Sequence, residues 1–242
     1  MKLVEQTWYE VETYLAQSPG IILPVGSTEQ HGPIGLIGTD AICAEHIAWG
    51  VHGALVAPTL AYTPAPFNAD FAGTISVSAP LFQALALEIL ETLYRQGFQR
   101  IYILNGHGAN LEPLRAALSV LPPSAVRLKS WWDFEPVNIL RREYYGDWEG
   151  MHATPSEVAI TQSIGRIVTH TDADTAPQKL TPEYITAHAG DKHGPANEHK
   201  RDFPDGRVGS HSALATPEHG RALLDAAIAA VTADYNAFLQ SN

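Results

Sequence analysis

GIILPVGSTEQHGPIGLIGTD, residues 20–40, opens on an apolar β-rich run, passes into a glycine-punctuated loop and ends on Asp40 at the mouth of a helix. Short continuous apolar runs of this kind suit strands buried on both faces. Residues 54–60 and 100–104 read the same way, and 126–131 is a further strand candidate. Helical patterns lie between them. The clearest spans 80–97, with Leu81, Leu85, Ile89 and Leu93 expected on the buried face, Glu88, Glu91 and Arg95 on the other, and Pro80 and Gly97 punctuating the ends. Further helices are expected at about 41–52, 111–120 and 217–239, the last with Leu224, Ile228 and Val231 on one face. Strands alternating with helices predict an α/β fold with a mainly parallel sheet. The stretches 132–151 and 172–212 are expected to be loop-bearing.

At 242 residues the chain is long enough for a sizeable core, and one domain, 1–242, is expected. A formal charge of −11 without a Lys/Arg cluster opposes the phosphate-neutralising surface that nucleic-acid binding requires. No run approaches the roughly 20 apolar residues of a membrane span. The opening MKLVEQTWYEVE lacks a basic region followed by an apolar one, so a cytoplasmic protein is expected. Cys43 is the single cysteine, which excludes an internal disulfide and a Cys-rich zinc site. Three residues past Asp40, it reads as a small buried residue rather than a nucleophile.

In an open parallel sheet, ligands bind beyond the carboxyl ends of the strands. Three clusters of potential metal ligands follow there. Glu29 and His31 lie in the loop after the first strand, with Asp40 closing it; the bland alternative is a solvated Glu29 and an Asp40 that caps a helix. His107 sits in Asn105-Gly106-His107-Gly108-Ala109-Asn110 after the strand at 100–104. A dinucleotide fingerprint is disfavoured there, because Leu111 stands where the third glycine belongs. His152 and Glu157 lie in the third cluster, where Pro155 and Ser156 look like a helix start and Glu157 has a capping or dipole role as its alternative. His and carboxylate groups are the ligands of Zn²⁺, Mn²⁺ or Fe²⁺.

The string VGSTEQHGP, then GTD, then NGHGAN, then a His and a Glu five residues apart after an Asp-Trp, resembles the creatininase family in the same order. FAGTIS at 71–76 and ALATPEHG at 213–220 extend the likeness over nearly the whole chain. The resemblance implies a three-layer sandwich with helices on both sides of the sheet, a homohexamer, and two divalent ions per chain, zinc or manganese with iron as a further candidate. It implies Glu29, His31, Asp40 and His107 as ligands, Asp40 as the bridge, Glu157 as the remaining carboxylate, and His152 as the catalytic histidine. Ser27, Gly108 and Trp148 are then candidates for substrate contacts, and Glu157 is a catalytic candidate as well as a ligand. The implied reaction is hydrolysis of a small amide by a hydroxide bridging the two ions.

The chain also departs from the family's pattern. Ile34-Gly35-Leu36 replaces His-Leu-Pro, Thr154-Pro155-Ser156-Glu157-Val158 stands where Gly-x-x-Glu-Thr is usual, and Gly108-Ala109 stands where creatininase proper has Tyr-Glu. Either Glu157 supplies the missing ligand, as the resemblance to members with the NGHG pattern implies, or one metal is bound more weakly. A formamide deformylase, a peptide-trimming hydrolase and an inactive metal-binding protein are the alternatives to a creatinine-type substrate. The three motifs contain no Lys or Arg, which favours a neutral or weakly basic small amide. That expectation holds unless Arg141, Arg142, Lys192 or Arg201 folds over the site. Trp131 and Trp132 are either a pocket wall or strand-end core. His188, His193, His199 and His211 receive no catalytic role.

Overall fold

A computed structural model describes residues 1–190 and 192–241. Strands β1 (Gly20–Val25), β2 (Leu55–Val56), β3 (Arg100–Asn105) and β4 (Val126–Ser130) form one parallel sheet in the order β2–β1–β3–β4. β1, β2 and β3 lie on the three apolar runs, and β4 within the further strand candidate at 126–131. β2 is the shortest of the four. The helices are α1 (Trp8–Leu15), α2 (Thr39–Trp49), α3 (Ala79–Arg95), α4 (Leu111–Leu118), α5 (Glu135–Tyr144), α6 (Pro155–Ile164), α7 (Pro182–Ala187), α8 (Ala196–Asp202) and α9 (Pro217–Gln240).

Successive strand residues point to opposite faces, and that alternation sorts the core into two layers. Ile21, Leu23, Val25, Ile101 and Ile103 pack with Tyr14 of α1, Phe82 and Leu90 of α3 and Leu114 of α4. Ile22, Tyr102 and Leu104 pack with Cys43 and Ile47 of α2, Val137 of α5, Ile160 of α6 and Val231 of α9. The result is the three-layer α/β/α sandwich. Cys43 lies wholly inside the second cluster, and burial pushes its thiol well above the usual range, as suits an inert core residue.

Three local expectations are corrected. The buried stripe of α3 is Phe82, Ala86, Leu90 and Leu93, whereas Leu81 and Leu85 are exposed. Two adjacent rows of this helix are apolar, and the row carrying the phenylalanine docks on the sheet. Within 132–151, α5 is helical although only Val137 on it is buried; it is held by packing on α9, with Tyr144 stacked on His219 at 4.0 Å. Within 172–212, α7 and α8 are short helices; Asp191 of that stretch lies outside the described residues. α9 has the length and mean hydropathy, 1.3, of a membrane span. Here its Leu223, Leu224, Ala227, Val231 and Tyr235 form a buried stripe against α6 and the sheet, as in a core helix.

β1 and β3 are in register from Gly20↔Arg100 to Val25↔Asn105, so they end level with each other. The chain leaves β1 toward β2 on one side and returns to β3 on the other. A crevice at the carboxyl ends of β1 and β3 is the expected place for a ligand.

Candidate metal centre

Two glycines let α2 close on those strand ends. A Cβ on Gly26 would meet the Ala41 backbone nitrogen at 2.3 Å, and one on Gly106 would meet the Asp40 carbonyl oxygen at 2.4 Å. Asp40 is therefore delivered into the crevice on the first turn of α2. It is not the cap: Gly38 holds that position and makes no side-chain capping bond. Asparagines tie down the loop after β3. Asn105 Oδ1 accepts from the His107 amide at 3.2 Å, and Asn110 Nδ2 donates to the Gly26 carbonyl at 2.9 Å.

Asp40 faces two histidines with its two oxygens. Oδ1 lies 3.0 Å from His31 Nε2 and Oδ2 lies 3.1 Å from His107 Nδ1. Ser27 Oγ donates to Oδ2 at 2.8 Å. His107 Nδ1 is also 3.0 Å from Glu29 Oε1, and His31 Nε2 is 3.8 Å from Glu157 Oε1. Potential ligand atoms thus fall into close groups: Glu29, Asp40 and His107; His31, Asp40 and Glu157; and Glu29, His31 and His152.

The far nitrogens of His107 and His31 are anchored on backbone carbonyls. His107 Nε2 donates to Pro64 O at 2.8 Å and His31 Nδ1 to Glu29 O at 3.1 Å; His152 Nε2 lies 2.8 Å from Gln30 O and 3.0 Å from both Gln30 Nε2 and Asn68 Nδ2. Such anchoring selects the tautomer that turns an acceptor nitrogen inward, as metal-ligating histidines require. An acceptor nitrogen 3 Å from a carboxylate oxygen is repulsive unless a proton or a cation lies between them. With no cation, protons must serve. Burial drives His31 down, but Asp40, Glu157 and Glu29 outweigh it and push it up to about 10. His107 is raised by Glu29 and Asp40 against its own burial. Burial pushes Glu157 up to about 7, with His31 opposing, and burial raises Glu29 against the pull of His107. Asp40 is held well below the usual carboxylate range, since the two histidines outweigh its burial. Among the described residues, no Lys or Arg pairs with Glu29, Asp40 or Glu157. The donor set fits divalent cations, which neutralise buried carboxylates and replace those protons.

His152 and Glu157 arrive from the segment leading into α6. Ala153 between them has φ 56°, a left-handed conformation that costs a non-glycine residue energy and turns the chain sharply. Thr154 and Glu157 form a capping box: the Thr154 amide donates to Glu157 Oε1 at 2.5 Å and the Glu157 amide to Thr154 Oγ1 at 3.3 Å. Glu157 therefore caps its helix with the same oxygen that approaches His31.

A cavity of about 200 Å³ opens on the cluster. Asp40, His107, Gly108, His152 and Glu157 form its floor, and Trp131, Trp132 and Arg141 its walls. Trp131 is at once core and wall. Ser27 is fully buried behind Asp40. Trp148 is not among the lining residues; its ring lies under Lys179 Nζ at 4.6 Å and beside His211 at 5.6 Å. His188, His193 and His199 gather around Tyr184 and Phe203, and His193 and His199 also pack on Phe67. Two residues at the site were given no role by the motifs, and Arg141 is the one of the four candidate cations that lines the cavity. Asn68 Nδ2 donates to Glu29 Oε2 at 2.8 Å, and Gln30 Nε2 donates to Asn68 Oδ1 at 2.8 Å. Gln30 stands inside the first motif and Asn68 just ahead of FAGTIS, which is a weak signal for both.

The family described as creatinine amidohydrolase (creatininase) matches residues 4–234. The mycofactocin precursor peptide peptidase of Mycobacterium ulcerans is 37% identical over 115 residues, which are 43% of this chain and 46% of that protein. The chain thus matches less than half the length of that relative. The creatinine amidohydrolase of Pseudomonas putida is 29% identical over 212 residues, 74% of this chain and 80% of that enzyme. The manganese form of creatininase shares the fold, with a TM-score of 0.73 and 21% identity over 99% of each chain. With the family match running almost from end to end, the chain belongs to the creatininase family.

Proposed function

We propose that the chain, acting as a single domain in the cytoplasm, is a binuclear metal-dependent amidohydrolase that cleaves a C–N bond in a small amide. The observation that carries this reading is Asp40, whose two oxygens face His107 and His31 on opposite sides. One ion is assigned to Glu29, His107 and Asp40, and the other to His31, Glu157 and Asp40. Divalent ions held there supply Lewis acidity toward the carbonyl and make hydroxide available near neutral pH, since they lower the pKa of water from 15.7 toward about 7.

The chain's own residues do the remaining work. His152 is the proton carrier: Nε2 is held among Gln30 O, Gln30 Nε2 and Asn68 Nδ2, and Nδ1 lies 3.8 Å from Glu29 Oε1. In the overall reaction a water oxygen bonds to the acyl carbon and the C–N bond breaks. The nitrogen leaves with a proton delivered by His152, and a carboxylate remains. Trp131, Trp132 and the Gly108 backbone exclude bulk water from one side of the cavity. Asn68 orients Glu29 through its 2.8 Å bond.

Peptide trimming is the second reading, favoured by the 37% identity to the peptidase over part of both chains. Assembly into a homohexamer is proposed as well; the exposed Leu81 and Leu85 on α3 are an apolar row suited to burial between copies. The test of the main reading is elemental analysis with a turnover screen. Close to two zinc or manganese ions per chain and hydrolysis of an amide are expected, and active metal-free protein would overturn it.

A further inference from the structure

The motifs around the proposed centre carry no cation, yet the folded cavity has one. Among the described residues, Arg141 is the only Lys or Arg that lines it. Arg141 comes from α5, on the stretch expected to be a loop, and its position is fixed by several contacts. Nε donates to Glu149 Oε1 at 2.9 Å and Nη1 to Asn138 Oδ1 at 2.8 Å. Its Cζ sits 5.7 Å from the Trp131 ring centroid, within cation–π range.

Glu149 extends this anchoring toward the metal cluster. Ser156 Oγ donates to the same Glu149 oxygen, Thr154 Oγ1 lies 3.1 Å from Ser156 Oγ, and the Thr154 amide donates to Glu157 Oε1 at 2.5 Å. A run of hydrogen bonds therefore ties the guanidinium to Glu157. A long, rotamer-rich side chain is thereby held at a set place relative to the reacting centre.

Two partners leave most of the donors unused. Of the five N–H groups, one on Nε and one on Nη1 are bonded, and Nη2 makes no hydrogen bond to any described residue. Glu149 balances the charge on the Nε side. The Nη1–Nη2 end is the edge whose spacing matches the two oxygens of a carboxylate.

We infer that Arg141 anchors a carboxylate of the substrate, so the amide cleaved is one whose amine portion ends in a free acid: an N-acyl amino acid or the carboxyl-terminal residue of a peptide. This rests on the amidohydrolase reading of the same cavity and replaces the neutral-substrate expectation drawn from the motifs. The acid end meets Arg141 beside Trp131, and the scissile carbonyl reaches the Asp40 side.

The test is binding of paired probes to the manganese-loaded protein, followed by calorimetry and tryptophan fluorescence. N-acetyltyrosine is compared with N-acetyltyrosine amide, and Gly-Gly-Tyr with Gly-Gly-Tyr amide; the two pairs separate the N-acyl from the peptide source. At least one acid should bind tenfold or more tightly than its amide in the wild type. Arg141→Gln should abolish that difference, and Arg141→Lys, which keeps the charge facing Glu149 but loses the fork, should retain part of it. Equal binding of acid and amide in both pairs, no binding of any probe, or an undiminished preference in a folded Arg141→Gln would overturn the inference. If the anchor alone is wrong, the wild type still holds metal and hydrolyses amides but shows no preference for the acids, whereas failure of the amidohydrolase reading shows as absent metal or absent turnover on every amide.

Discussion

Gly106 lies against the Asp40 carbonyl, close enough that a Cβ there would stand 2.4 Å from that oxygen. Both neighbours are backbone, β3 leading into one and α2 carrying the other, so neither can swing aside. Gly106→Ala should therefore push α2 off the strand ends. Overpacking of this kind costs about 1–3 kcal/mol. Denaturant titration should show that loss, and metal affinity should fall with it because Asp40 moves. Unchanged stability would mean that α2 shifts freely.

Asp40→Ala should lose both ions, whereas Glu157→Gln should lose the one assigned to His31 and Glu157 and keep the other. Elemental analysis after gel filtration separates these outcomes. Full occupancy in the Asp40 variant would remove its bridging role.

Metal binding and pH should be linked with a defined sign. Glu157 is raised to about 7 from 4.5 and His31 to about 10 from 6.5, so the metal-free folded state binds protons more tightly than the unfolded chain. The contribution of Glu157 is complete below pH 4.5 and is lost as pH rises through 7; that of His31 is complete below 6.5 and is lost through 10. The Tm of metal-free protein should fall from pH 5 to 9 over this range. Ions displace those protons, so metal should raise Tm more at pH 8.5 than at 5.5, and loading should release protons into a weakly buffered solution. A metal-induced Tm shift independent of pH would contradict the assignment.

His152→Ala should lower kcat by about 10²- to 10⁴-fold, the usual contribution of a general acid–base group, with metal content retained. Stopped assays on the best amide of the screen, with metal analysis of the same sample, provide the measurement. An unchanged rate would favour a proton path that bypasses His152.

Static light scattering should give a mass several times the 26.2 kDa of one chain. Leu81→Glu with Leu85→Glu should shift that mass downward, since both side chains are exposed in the single copy. A monomer in the wild type would leave the apolar row of α3 without this explanation.

The features legible in the sequence are those that local chemistry dictates. Apolar runs without alternation mark β1, β2 and β3, because a strand covered on both faces has no polar side to show, whereas β4 alternates apolar and charged residues and is mostly half-buried. Glycine-rich loops carrying Glu29, His31 and His107 follow two of those strands, so strand order marks where to look for donors, while the ligand set itself came from the resemblance to the creatininase family. Tertiary packing decided the rest. Phe82 rather than Leu81 faces the sheet, since two neighbouring rows of α3 are equally apolar and only docking chooses between them. α5 has little buried surface of its own and is helical because α9 supports it. Arg141 enters the cavity and Trp148 does not, though both sit in one loosely patterned stretch, because no local periodicity records which side chain the folded neighbours will face.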